Sequence, residues 1–153
     1  MGAALMKNPE NAENILRALV NEVEVPVTAK IRCFESINET VKFALRLEST
    51  GIAALAVHGR LKEERPRNDC RYETIKAVAA ACSIPVLANG GSNYFTDREG
   101  IEQFQKETNT NGVLVARAAQ WNPSVFNRNG PRPIENVIGK GELLNTLHIS
   151  HQL

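Results

Sequence analysis

The sequence predicts a parallel α/β fold, and three observations carry that prediction. Four short, nearly all-apolar segments recur along it, with reference positions Val27, Ala53, Pro85 and Val113 separated by 26, 32 and 28 residues. Amphipathic stretches with capping signals fill the gaps between them. Each apolar segment ends on polar or glycine residues. Continuous apolar runs are what strands buried on both faces look like, and such strands belong to parallel sheets.

The elements follow in order. Asn8-Pro9 reads as an N-cap with Pro at the first helical position, and Ile15, Leu16, Leu19 and Val20 then share a face. The first apolar segment is Val25–Ile31. Ser36 with Glu39 forms a capping box before Val41, Ala44, Leu45 and Leu47, and Gly51 supplies the stop. The second segment is Ile52–Val57, followed by a stripe of Ile75, Val78, Ala79 and Cys82. The third is Ile84–Ala88. Thr96 with Glu99 reads as another capping box, leading into Ile101 and Phe104. After the fourth segment, Gly112–Ala116, Asn122-Pro123 opens one more helix, and Pro131–Gly139 has room for a short one. The order αβαβαβαβα fits a doubly wound sheet and a (β/α)8 barrel alike. A barrel takes about 250 residues, so a chain of 153 with four strands is expected to form part of one. Because no strand precedes the first helix, the missing part is expected at the front, and four strands alone leave two unpaired sheet edges.

Composition sets the outer limits. With 42% hydrophobic and 23% charged residues the chain is of ordinary globular type, which excludes disordered, collagen-like and coiled-coil classes. One domain is expected at this length. Eighteen Lys and Arg against 17 Asp and Glu give a net charge of +1, so a nucleic-acid partner requires a local patch. The three cysteines, Cys33, Cys70 and Cys82, form no CxxC pair and no disulfide framework, which favours a reducing compartment; Cys70 and Cys82 read as helical. Lys7, Glu10 and Glu13 interrupt any signal-peptide core, and Met6 stands where an N-myristoylation motif wants Ser or Thr. The uncharged run Ala77–Thr96 is 20 residues long, but Pro85, Asn89 and Gly90-Gly91 break it, so no membrane role is expected.

In either fold, ligands sit at the carboxyl ends of the strands. That edge carries Lys30-Ile31-Arg32, His58-Gly59-Arg60, Asn89-Gly90-Gly91-Ser92 and Ala116-Arg117-Ala118. Lys30 ends an apolar strand, where an ammonium needs an anion or a route to water. His58 offers a ring nitrogen beside a glycine that admits a ligand, or else a core histidine bonded to backbone. Asn89-Gly90-Gly91 has backbone N–H groups suited to an anion nest, or to a simple turn. Arg117, between small residues one repeat later, suits a phosphate. Between Arg60 and Arg71 five cations face three acids, which reads as a solvated loop or a polyanion contact. No Walker A sequence, dinucleotide fingerprint or metal-ligand spacing is present, so no metal is expected. His148 and His151 are read as tail residues without a role, and Trp121 as a packing anchor.

Together these strand ends resemble the tRNA-dihydrouridine synthases, flavoenzymes built on a barrel that holds FMN. The resemblance rests on Val27–Arg32, Val57–Arg60, Ile84–Gly91 and Val113–Ala119 followed by Trp121-Asn122-Pro123, and on the opening Met1–Met6. It covers residues 1 to about 138 as a partial (β/α)8 barrel and leaves 139–153 as a divergent tail. Gly90-Gly91, Ala116-Arg117 and the Arg60–Pro66 loop look closest to the eukaryotic cytosolic subfamily that modifies the tRNA D-loop. The resemblance implies that Lys30 and His58 contact the flavin, that Asn89, Gly90, Gly91, Ala116 and Arg117 hold the FMN phosphate, and that Arg32 and Arg60 face uridine or tRNA. It further implies NADPH as reductant, tRNA as partner and a cytoplasmic setting. The family's proton-donating cysteine lies upstream of the segment that matches Met1, so no catalytic residue is expected here, and the chain alone is expected to be marginally stable, inactive and at most a weak FMN binder. Two other readings fit the same strand ends: a non-catalytic flavin- or RNA-binding remnant, and another phosphate-binding barrel such as a dihydroorotate dehydrogenase-like enzyme or a sugar-phosphate isomerase. Oligomeric state is not set by any of these residues.

Overall fold

The computed structural model describes residues 2–65, 67–91 and 95–134. Ser92, the stretch from 135 to 139 and the tail with His148 and His151 lie outside the described residues. A 3-10 turn over Gly2–Lys7 leads into α1 (Pro9–Glu22), β1 (Thr28–Arg32), α2 (Ile37–Glu48), β2 (Ala54–His58), α3 (Tyr72–Ala81), β3 (Val86–Asn89), α4 (Arg98–Thr108), β4 (Gly112–Leu114), the short α5 (Arg117–Trp121) and a 3-10 turn over Pro123–Phe126. The alternation is the one expected. The first three strands start later than their apolar runs, because each run also covers the approach to the sheet, whereas β4 starts with its run at Gly112 and ends two residues before it does.

The strands form one parallel sheet in the order β1-β2-β3-β4. Sequential order decides between the two candidate folds. Right-handed crossovers that always step to the next neighbour put every helix on the same face, whereas a doubly wound sheet reverses direction and covers both. Here α1 packs on α2, α2 on α3 and α3 on α4. This is the arrangement of a (β/α)8 barrel wall, seen over four of its strands.

Register separates the two faces. Thr28 pairs with Ala54, Lys30 with Ala56 and Arg32 with His58; His58 pairs in turn with Asn89, and Asn89 with Leu114. Paired residues in parallel strands point the same way, so these share one face. The alternate residues Ile31, Leu55, Val57, Val86 and Ala88 point to the helices and are all buried. They meet Phe43, Ala44 and Leu47 of α2, Ile75 and Val78 of α3, and Ile101 and Phe104 of α4 in one core. Tyr72 and Phe104 add an edge-on ring pair with centroids 4.8 Å apart. Burial on both faces holds for the middle strands and fails at the edges: Ala56 of β2 and Asn89 of β3 are buried on the open face, whereas Thr28 and Lys30 of β1 and Leu114 of β4 are exposed. Ala54 and Ala56 kept the runs apolar without needing helix cover.

The caps agree in part. Asn8 accepts from the Asn11 amide at 3.1 Å, and Ser36 accepts from the Glu39 amide at 3.4 Å. Gly51 ends α2 at φ +90°. The expected Thr96 box is displaced by one residue, since Asp97 is the N-cap and accepts from the Gly100 amide at 2.9 Å. A carboxylate is the stronger partner for a helix N-terminus. In α2 the buried stripe is Thr40, Phe43, Ala44 and Leu47, with Leu45 exposed, and in α1 Ile15 and Leu19 are exposed while Ala12 is buried. Asn122-Pro123 opens only a four-residue 3-10 turn. Cys70 precedes α3 rather than lying in it, and Cys82 is its C-cap. Trp121 is 64% exposed and anchors nothing in the described core.

Candidate functional site

The polar strand ends meet along the carboxyl edge of the sheet. Lys30 and Arg32 come from one face of β1, His58 ends β2, Asn89 ends β3, and Ala116-Arg117 begins α5 after β4. Strand alternation puts Lys30, Arg32, His58 and Asn89 on the face that the helices leave open. A separate, mainly apolar groove of about 320 Å³ lies at the β1 edge on the helix side, between the first 3-10 turn, α1, β1 and α2, with Ile31, Phe43 and Leu47 in its lining beside Lys30 and Arg32.

His58 is the electrostatic centre. Burial and then the charges of Arg32, Lys30, Arg60 and Arg117 push its imidazole down to about 3. The ring is thus neutral at physiological pH, ringed by cations, which is the charge pattern of a site that takes an anion. Lys30 is exposed on the open face; the shelter its ammonium has from neighbouring side chains, together with the Arg32 charge, lowers it below the ordinary lysine value. Arg32 is half-buried and donates from Nη1 to the Leu61 carbonyl at 2.9 Å, which fastens the loop after β2 to β1.

The turn after β3 is built on glycine for two separate reasons. Gly90 lies at φ +123°, where an L side chain is strained, and a Cβ there would stand 2.8 Å from Cys70 Sγ and 3.0 Å from His58 Cδ2. Gly91 has no such backbone requirement, but its Cβ would sit 2.6 Å from the Phe95 ring. Asn89 is buried and donates from Nδ2 to the Leu114 carbonyl at 2.8 Å, so its side chain ties β3 to β4. Its own carbonyl accepts from the Gly59 amide at 3.0 Å, tying β3 back to the loop after β2.

Arg60 departs from expectation. Read as facing uridine or tRNA, it is 1% exposed. Nε donates to the Asn68 carbonyl at 2.6 Å, Nη1 donates to the Gly90 carbonyl at 2.7 Å, and Nη1 also lies 3.3 Å from His58 Nε2. These acceptors arrive from remote parts of the chain, so a sequence window around Arg60 cannot reveal them. The exposed basic groups of that loop are instead Lys62, Arg65 and Arg67, while Arg71 is bonded to Glu64.

Sequence reasoning also missed what backs the site. Cys70 Sγ donates to the Asn89 carbonyl at 3.7 Å and fills the space beside Gly59 and Gly90; Cys33 Sγ donates to the His58 carbonyl at 3.4 Å. Burial pushes Cys33 up to about 12 and Cys70 to about 11, so both remain thiols. The glycines at 59 and 90 were the only signal that something close-packed lay there. Among the described residues no three His, Cys, Asp or Glu side chains cluster in a way that could hold a metal, and no helix is long and apolar enough to cross a membrane.

Comparison with known proteins adds a family. The family described as dihydrouridine synthase (Dus) matches residues 1–137. The tRNA-dihydrouridine synthase B of Proteus vulgaris is 37% identical over 151 residues, covering 97% of this chain and 44% of that protein. The Pseudomonas putida synthase B is 39% identical over 145 residues, 94% of this chain and 41% of the relative. A human tRNA-dihydrouridine(20a/20b) synthase-like protein is 36% identical over 128 residues, 82% and 39% of the two chains. The chain thus spans less than half the length of these relatives. Among solved structures, the YdjI aldolase of Escherichia coli K12 superposes with a TM-score of 0.50 at 18% identity, over 74% of this chain and 41% of that one. At that identity the likeness concerns the fold alone.

Proposed function

The chain belongs to the dihydrouridine synthase family, and from that premise we propose that its open sheet edge is the FMN-binding part of a cytoplasmic, NADPH-reduced tRNA-dihydrouridine synthase. The observation that carries this reading is the gathering of cations around His58: Arg32 is its register partner on β1 with Lys30 on the same face, Arg60 Nη1 lies 3.3 Å from its Nε2, and Arg117 opens α5 after β4. FMN brings a phosphate dianion and a ring and ribityl chain rich in acceptors. A set of ammonium, guanidinium and imidazole donors fits both parts.

The roles divide by position. Lys30 and His58, on the open face of β1 and β2, would hold the flavin ring and ribityl chain. Gly90, Gly91, Ala116 and Arg117 would hold the phosphate, with Arg117 offsetting its charge. Asn89, through its bond to the Leu114 carbonyl, keeps the two phosphate-side strand ends in register. When bound, FMN supplies the hydride that reduces a uracil ring. Arg32 would take a lesser part, since one of its nitrogens already serves the Leu61 carbonyl. The exposed Lys62, Arg65 and Arg67 would face the tRNA backbone, where phosphate contacts orient without reading sequence. None of the three cysteines suits proton delivery to uridine: Cys33 is buried, Cys70 is committed to the Asn89 carbonyl, and Cys82 at the end of α3 is pushed up to about 11 by burial.

The test is an FMN titration of the full chain, followed by quenching of flavin fluorescence. We expect weak but saturable binding, reduced at least about tenfold in Lys30→Ala, which removes a charged donor. Absence of saturable binding, or an unchanged affinity in the variant, would overturn the reading.

A further inference from the structure

Arg60 occupies an unusual place for an arginine. It is 1% exposed, and three parts of the chain converge on it. Its backbone carbonyl accepts from the Cys33 amide at 3.1 Å, just beyond β1. Its side chain reaches Asn68 in the loop ahead of α3 and Gly90 in the turn after β3, as described above, and Nη1 stands 3.3 Å from His58 Nε2.

A guanidinium has N–H donors only and keeps its proton throughout the accessible pH range. Neutral imidazole has one N–H and one lone pair. If the proton sat on Nε2, two donors would face each other across that 3.3 Å, with nothing to accept between them. The contact is attractive only when Nε2 carries the lone pair.

We propose that Arg60 is a positioning residue for His58: its guanidinium holds Nε2 as an acceptor, locks the neutral ring in the Nδ1–H tautomer, and leaves Nδ1 as the donor that the ring offers to a ligand on the open face. The same Nη1 that fixes the tautomer donates to the Gly90 carbonyl, so one buried cation sets both the histidine and the glycine turn. The charged groups that act on the ring from the surrounding elements are Lys30 and Arg32 of β1, Arg60 itself and Arg117 of α5. The nearby thiols of Cys33 and Cys70 add no negative charge, because burial keeps them protonated. None of these groups would stabilise an imidazolium. His58 is therefore a fixed hydrogen-bond donor and not a proton donor. That the acceptor it serves belongs to a flavin rests on the reading above; the tautomer does not.

The experiment is a long-range ¹H–¹⁵N correlation spectrum of the full chain, with His58→Asn assigning the His58 ring. The expected result is a protonated Nδ1, an unprotonated Nε2 and no titration on acidification from about pH 8 to about pH 5, a span that covers the ordinary histidine range. An Nε2–H tautomer, an even mixture, or titration near the ordinary value would overturn the proposal. Arg60→Met should release the lock, shifting the ring to mixed tautomers and moving its titration upward, and Arg60→Lys should restore part of the Nδ1–H signal. An unchanged tautomer in a folded Arg60→Met chain would also overturn it. Should Arg60→Met fail to fold, the wild-type spectrum still decides. If the ring is Nδ1–H and FMN does not bind, the tautomer assignment stands and the flavin reading falls.

Discussion

The two faces of this sheet are made from the same strands and do opposite work. On the covered face Ile31, Leu55, Val57, Val86 and Ala88 are buried against three helices. On the open face the alternate positions run from Thr28 and the small Ala54 and Ala56 to Lys30, Arg32, His58 and Asn89 at the carboxyl edge. The period-2 alternation of a strand lets one segment serve both needs without compromise. Folding energy is concentrated on one side, so the other is free to carry charge that would be intolerable in a core.

Substitutions on either face and one change of pH sharpen that contrast. The largest effect is expected from Leu55→Ala, which opens a cavity at a fully buried position on the covered face and should cost about 2–5 kcal/mol in denaturant unfolding. Leu114→Ala, on the open face and 36% exposed, should cost less than about 1 kcal/mol. Next is Gly90→Ala, where positive φ combines with contacts to Cys70 and His58; about 1–3 kcal/mol is expected. Gly130→Ala is its control, also at positive φ but with nothing within 4 Å of the added atom, and should lose no more than about 1–2 kcal/mol.

A pH effect follows. The His58 imidazole is held at about 3 in the folded chain against an ordinary 6.5, so between those values the unfolded chain binds a proton that the folded chain does not. Its contribution to stability is complete above about pH 6.5 and is lost as pH falls toward about 3. Unfolding curves across that window should show a decline that is shallower in His58→Asn. The smallest effect is expected from Glu64→Gln, which keeps an acceptor for Arg71 and removes the negative charge of the pair. That pair is only partly shielded, and its loss should cost about 0.2–1 kcal/mol and diminish with salt.

Much of this was legible in the sequence. Apolar runs such as Ile52–Val57 and caps such as Ser36 with Glu39 specify strand and helix through local physics, so the α/β alternation could be read directly. The carboxyl-edge residues followed from topology, since ligands gather there. What could not be read depends on remote partners. Arg60 reads as an exposed loop cation because its acceptors, the carbonyls of Asn68 and Gly90, are brought to it only by the fold. Ala54 and Ala56 keep β2 apolar on the side without helices, and Ala56 is buried there, so the run gives no sign of which face the helices leave open. Trp121 looked like an anchor because aromatic residues usually bury, yet its short helix α5 leaves it 64% exposed. The displacement of the Thr96 cap to Asp97 is a contest between two adjacent capping residues that charge decides.

The central claim is that the open face, through its carboxyl-edge cations, receives the phosphate of FMN. The most direct measurement compares the affinity of the full chain for FMN and for riboflavin, which lacks the phosphate, in wild type and in Arg117→Ala. The account predicts that FMN binds at least about tenfold more tightly than riboflavin, a charge-assisted difference, and that Arg117→Ala removes most of that gap while leaving riboflavin binding unchanged. Equal affinities for the two ligands in the wild-type chain would contradict it.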